Sequence, residues 1–336
     1  MADNRLRYYI TGNSTGLNKA LNSASSRVKA FGSKMKSVGA SLQKFSAIGA
    51  LAGGAAVKMA MDFDKNIAKI DALVGVGGEA LGELSAAAKQ MARETGLSSA
   101  KTSEAMFFIT SAGLRGAEAM QVLEAAAKAS ASGLGEVATI ADLATSAMNA
   151  YGSETLSATK ATDILTAAVR EGKLDASALA GSMGSVIPTA SALGVSFDEV
   201  GAAMAAMSRT GTDAAQGSTQ LNAILMGLTK TTPAAQAAFA QMGLNASDLR
   251  KELATEGGLL SVLKQLKVGI DGNTDAAAAI YPNIRALKGV LDLTGAGAED
   301  AEEIFRKLRD TQHATEIAFQ KTSQTASFKL NKAMNN

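Results

Sequence analysis

The chain has 336 residues, a formal net charge of +2, 47% hydrophobic and 4% aromatic residues, one His, no Cys and no Trp. That length suits two domains of ordinary size with a buried core. The lack of Cys excludes a disulfide framework and a thiolate metal site while fitting reducing and oxidising compartments alike.

Alanine makes up roughly a fifth of the chain, far above its usual share. Since burial contributes about 25 cal/mol per Å² of apolar surface, Ala-on-Ala packing should hold less firmly per residue than a Leu and Phe core. Marginal stability is the expectation. Three prolines and abundant Ala, Leu, Met, Lys, Gln and Glu predict an all-α fold. Only Leu6 to Thr11 has the alternation of a strand.

From the N-terminus, Arg5 and Arg7 precede Tyr8, Tyr9 and Ile10 with no apolar h-region, so no signal peptide is expected. Leu17, Leu21, Ala24, Val28, Phe31, Met35, Val38, Leu42 and Phe45 then step at spacings of four and three, a coiled-coil seam. Its self-association is assigned to Leu21, Val28, Phe31, Met35 and Leu42. Between Asn4 and Met61 stand nine Lys or Arg and no Asp or Glu. An apolar seam with a one-signed basic remainder suits helix association beside an acidic partner. Phosphate neutralisation would need only those cations, so contact with DNA stays open, but Tyr8 and Tyr9 are the only aromatics placed to stack on bases. The uncharged run Phe45 to Val57 has 13 residues, short of the roughly 20 that span a bilayer. It reads as helix packing, with contact at a host membrane as the alternative.

Beyond Phe63 the rhythm changes to helices punctuated by Gly-containing turns. This divides the chain into a basic arm and heptad helix (1–62), a helical core (63–295) and a C-terminal helix (296–336). In the core, Leu81, Leu84, Ala88 and Met91 form one helical stripe. Others are Met120, Leu123 and Ala127, then Leu179, Met183, Val186 and Ala190, then Leu221, Leu225 and Leu228. Pro188 should kink or end its stripe, and Thr232-Pro233 reads as an N-cap with proline at the first helical position. Gly96, Ser98, Ala105, Met106 and Gly113 recur as Gly194, Ser196, Ala203, Met204 and Gly211, a candidate duplication of a helix–turn–helix unit. Common descent and coincidence within Ala-rich helices both account for five identities. Ser196 and Glu199 have capping-box spacing. The final segment runs from Glu299, Asp300, Glu302 and Glu303 to Arg306, Lys307 and Arg309, complementing a helix dipole. It stops without a helix-ending signal, so further chain is expected beyond Asn336.

Catalytic constellations are missing. The single His313 lies in a polar stretch and reads as a solvated residue, and with Glu316 it supplies two ligands at most. Gly75, Gly77 and Ala80 match a dinucleotide-loop spacing, but no sheet can be assembled around them, which leaves a Gly-rich interhelical turn. Asp198 and Glu199, like Glu302 and Glu303, fall in first helical turns, where the dipole favours acids. No catalytic, cofactor-binding or metal-binding residue is assigned, no cofactor is expected, and the chain reads as no enzyme.

From Phe63-Asp64 onward, the ordered features resemble the core region of phage tail tape measure proteins. They are Ala92-Arg93-Glu94-Thr95-Gly96, Ser111-Ala112-Gly113-Leu114 before Met120-Gln121-Val122-Leu123, Ala141-Asp142-Leu143, and Asn149-Ala150-Tyr151-Gly152. Ile187-Pro188-Thr189-Ala190, Leu193-Gly194-Val195, Arg285-Ala286-Leu287-Lys288-Gly289 and Leu293-Thr294-Gly295 continue the series. The resemblance covers residues 63–295 and implies a structural protein in the lumen of a phage tail, made in the host bacterial cytoplasm. Such a protein sets tail length, scaffolds assembly and is released at genome delivery. It also implies a small oligomer, often of three copies, with the tail tube protein, tail-assembly chaperones and the tail-tip hub as partners. As one continuous helix, 336 residues would span roughly 500 Å, whereas a Gly-punctuated core folds back on itself. The rival readings are a coiled-coil signalling or adhesin-type protein, which the Gly rhythm after Phe63 opposes, and a membrane-perturbing effector built around Phe45 to Met61.

Overall fold

The computed structural model describes residues 48–255, 258–281, 284–295 and 297–335. Among these, every regular element is helical, as the composition and the rarity of strand-like alternation predict. The stretch Leu6 to Thr11 and the seam residues Leu21, Val28, Phe31, Met35 and Leu42 lie outside the described residues. The chain divides between Lys58 and Met59 into two compact units. Of the first, the described part is helical backbone, the opening of α1 (Ile48–Lys69).

In the second unit, α1 closes in a π-helical turn, Ile70–Val74, stopped by Gly75 in the left-handed region at φ 72°. Five helices follow: α2 (Gly78–Thr95), α3 (Ser99–Ser111), α4 (Gly116–Ala129), α5 (Val137–Tyr151) and α6 (Ala158–Glu171). Here α2 packs on α3 and α4, α3 on α5, and α4 on α5 and α6. Next come α7 (Ala176–Met183), α8 (Ile187–Ala192), α9 (Phe197–Arg209), α10 (Ala214–Leu228), α11 (Pro233–Gln241) and α12 (Ala246–Leu253). Then α13 (Gly258–Gly272), α14 (Thr274–Ile280) and α15 (Ile284–Thr294) complete the core. Residues expected to form one C-terminal helix make three: α16 (Ala298–Arg309), α17 (Ala314–Ser323) and α18 (Ala326–Asn335). The break follows from Asp310, which leaves helical geometry at φ −120° and ψ 87°, and from His313 at φ 62°.

Helix α9 is the centre. It is enclosed by α6, α8, α10, α15 and α16, and every residue from Val200 to Ser208 is buried. Such enclosure needs small side chains: a Cβ at Gly201 would stand 2.9 Å from Ile164 Cγ2 of α6. The alanine richness thus serves close helix approach rather than buried area per residue.

Three stripes pack as the helical spacing predicts. Leu84 and Ala88 are buried with Leu81 and Met91 at the margin. Leu179, Met183, Val186 and Ala190 are fully buried, as are Leu221, Leu225 and Leu228. Pro188 divides its stripe between α7 and α8, standing in the first turn of α8. Thr232 caps α11 by accepting from the Ala235 N–H at 3.2 Å, ahead of Pro233. In the α4 stripe Leu123 and Ala127 are buried as the spacing predicts, whereas Met120 is exposed and α4 also buries Ala119, Val122 and Ala126. Ala119, Ala125, Ala126, Ala127 and Ala129 are all buried there, so the stripe is wider than its large side chains mark.

The candidate duplication has a geometric counterpart. Gly96 and Gly194 are left-handed at φ 69° and 78°, and Ser98 and Ser196 are extended N-caps. Helices α3 and α9 have 13 residues each and end before left-handed Gly113 and Gly211. The closing bonds correspond as well, Leu114 N–H to Ile109 O at 3.3 Å and Thr212 N–H to Met207 O at 3.2 Å. The starts of α2 and α7, Gly78 and Ala176, stand 98 residues apart, as do those of α4 and α10, Gly116 and Ala214. The second copy differs in that Pro188 splits the counterpart of α2 in two.

Candidate functional site

A groove of about 700 Å³ is lined by residues of α4, α5, α6 and α17 and the loop before α6. Its chemistry begins with Asp163, which a helix of alternating small and apolar residues carries into a 96% buried position on α6. One carboxylate oxygen accepts from the His313 N–H at 2.9 Å and the other from the Thr315 N–H at 2.8 Å. These are orphan donors of the first turn of α17, satisfied across 150 residues of chain. The hydroxyls of Thr166 and Thr315 meet beside them at 2.9 Å.

Lys128 of α4 reaches the same edge, bonding Glu316 at 2.8 Å and its own-helix neighbour Glu124 at 2.9 Å. Burial pulls the Lys128 ammonium down, but its bonds to Glu316 and Glu124 outweigh that and hold it above the ordinary lysine value. The Lys128 bond in turn holds the Glu316 carboxyl below the usual range. Three of the carboxylates along the groove, Asp163, Glu124 and Glu316, are therefore already matched to an ammonium or to backbone donors. The groove fastens helices, and it presents no nucleophile next to a base.

A second carboxylate works alike. Ser196 donates to one oxygen of Glu199 through both its N–H, at 3.3 Å, and its hydroxyl, at 3.2 Å. The other oxygen accepts from the Leu259 N–H at 3.1 Å, in the first turn of α13. Burial pushes the Glu199 carboxyl up, against these bonds, and Asp198 adds repulsion. The capping-box spacing marks the local half of this role, whereas the link to Leu259 has no signature near either residue.

The other residues singled out from the sequence fall in structural places. His313 is exposed and is the N-cap of α17. Gly75 ends the π-helical turn, Gly77 is the extended N-cap of α2 and Ala80 lies in its first turn, so these three form an interhelical turn. Glu302 pairs with Lys264 at 2.5 Å, and Glu303 with Lys307 at 2.8 Å. Among the described residues, no group of three or more His, Asp or Glu could hold a metal ion. Nor is any helix there long and apolar enough to cross a membrane.

A helical protein whose polar groups serve to cap and join helices is a structural class, and the comparisons say which. The family model of the phage-related minor tail proteins matches residues 85–281, and the chain belongs to that family, a structural one of the phage tail. Within it, the likeness is to tape measure proteins. The chain is 24% identical over 265 residues to a tape measure protein of Pneumococcus phage Dp-1, covering 77% of this chain and 23% of that one. It is 25% identical over 249 residues to a probable tape measure protein of a Clostridium phage, phiCD119, covering 72% of this chain and 26% of that one. The chain thus spans about a quarter of the length of these relatives. No solved structure matches it.

Proposed function

We propose that this chain is a segment of the ruler that sets phage tail length, acting as an assembly scaffold in the tube lumen and leaving ahead of the genome. The observation that carries the reading is the family match across 85–281, together with relatives named as tape measure proteins. In this reading the protein is made in the host cytoplasm, works without catalysis, and meets the tail tube protein, tail-assembly chaperones and tail-tip hub. A ruler that is helical inside the tube adds about 1.5 Å per residue, so in-frame shortening of the protein should shorten tails in that proportion. Electron microscopy of assembled particles reads this directly, and tails of unchanged length would refute the ruler role.

The arm, 1–62, supplies self-association in this reading. Its seam of Leu21, Val28, Phe31, Met35 and Leu42 would join a small number of copies, three by family resemblance. Replacing Val28 and Met35 with Glu puts charges into that seam, where each would lose its hydration without a partner. Light scattering coupled to small-angle X-ray scattering should show the unaltered chain as a small oligomer and the double variant as a monomer. Equal masses for the two would remove the seam.

A further inference from the structure

We propose that α17 and α18, residues 314–335, form a strap that detaches as a unit from α2, α4 and α6 while the remainder of the core stays folded. The inference does not rest on the tape measure reading. Its first ground is the contrast with α16 directly before it. In α16 the residues Ala301, Ile304, Phe305 and Leu308 are all buried, which ties that helix into the apolar core beside α9. In α17 only Ala314 and Thr315 are buried and Ile317 is half exposed; in α18 Phe328 is the buried residue and Leu330 is 62% exposed.

What holds the strap is therefore mostly polar. Asp163 takes its two N-terminal amides, Thr166 meets Thr315, and Lys128 bonds Glu316. At its far end Phe328 lies over Gly96, where a Cβ would stand 3.7 Å from the ring. Exchanging bonds of this kind for bonds to water loses far less than exposing a cluster of large apolar side chains. The second ground is cohesion inside the strap. Phe319 of α17 and Phe328 of α18 stack edge to face with ring centroids 5.7 Å apart, so the two helices leave together. The third is a ready hinge: Asp310, Thr311, Gln312 and His313 are non-helical, and none of these four carries a large apolar side chain. Elements with few buried apolar contacts open at lower free energy than the core they rest on.

Hydrogen exchange followed by mass spectrometry on the full chain tests this. Peptides covering 314–335 should exchange together and at least tenfold faster than peptides of α9. Asp163→Asn, which turns one of the two accepting oxygens into a donor facing a donor, should speed exchange in 314–335 a further tenfold and leave α9 unchanged. Glu316→Gln, at a partly exposed position that cannot block folding, should act in the same direction by a smaller factor. Equal exchange in the strap and α9, or variants that speed both equally, would mean that the strap opens only with the whole core and would overturn the proposal.

Discussion

Gly227→Ala is expected to destabilise the core by on the order of 3 kcal/mol, although it adds a single methyl group to the last turn of α10. A Cβ at that position would stand 2.0 Å from Cε1 of Tyr281 and 2.8 Å from two further ring atoms. Tyr281 is 95% buried and its ring is packed in the core, so it has no open direction in which to give way. The usual helix-propensity gain of Ala over Gly, about 1 kcal/mol, is too small to offset this. For a unit of this size the loss corresponds to a fall in Tm of about 6–12 °C. A double-mutant cycle with Tyr281→Ala isolates the cause: with the ring gone, Gly227→Ala should cost almost nothing. An unchanged melting curve for the single variant would mean that α10 and the Tyr281 segment are not in contact.

Glu199 gives the second large effect and the one with a pH dependence. Glu199→Ala leaves the Leu259 N–H without its acceptor at a buried helix start and removes both Ser196 bonds. That should cost about 2–3 kcal/mol at neutral pH. Glu199→Gln keeps an acceptor for Leu259 and offers an amide donor to the Ser196 hydroxyl. It also removes a charge that burial disfavours, and should cost no more than about 1 kcal/mol. Because burial raises the folded-state pKa of Glu199 above its unfolded value, the folded protein holds this proton more tightly than the unfolded chain. The residue's linked contribution is fully present below the ordinary glutamate range and is lost as pH rises through its raised folded value. Urea midpoints at a series of pH values should therefore keep a constant offset between the native and Gln forms at high pH, and the native form should gain relative to Gln as pH falls. If Gln proves as damaging as Ala at every pH, then the negative charge itself is what α9 and α13 require.

Neither Tyr281 against Gly227 nor Glu199 against Leu259 is visible to local spacing, because each is a contact between elements far apart in the chain. Helix class, the Leu179 and Leu221 stripes, the Thr232-Pro233 start and the turn nature of Gly75 and Gly77 are legible, since their signals lie within a few residues of one another. Met120 is the one miss of its stripe, because Ala119, Ala125, Ala126 and Ala129 widen the buried face of α4 and alanines carry no weight in a pattern of large side chains. Asp163 carries no local mark either: an acid in mid-helix without a neighbouring partner looks like a surface residue, and its partners stand 150 and 152 positions away. The charge order from Glu299 to Arg309 fits one dipole and so predicts a single C-terminal helix. The break at Asp310 to His313 contains neither Gly nor Pro to announce it.

The central place of α9 sets an order of removal that differs from the order of the chain. A pull applied from the C-terminal side of the described residues first meets α18 and α17, which bury little apolar surface. Helix α9, midway along the sequence, is clasped by α6, α8, α10, α15 and α16 and can leave only after that clasp opens. Drawn through a narrow passage from that side, the chain would yield easily at α17 and α18 and resist most strongly at α9.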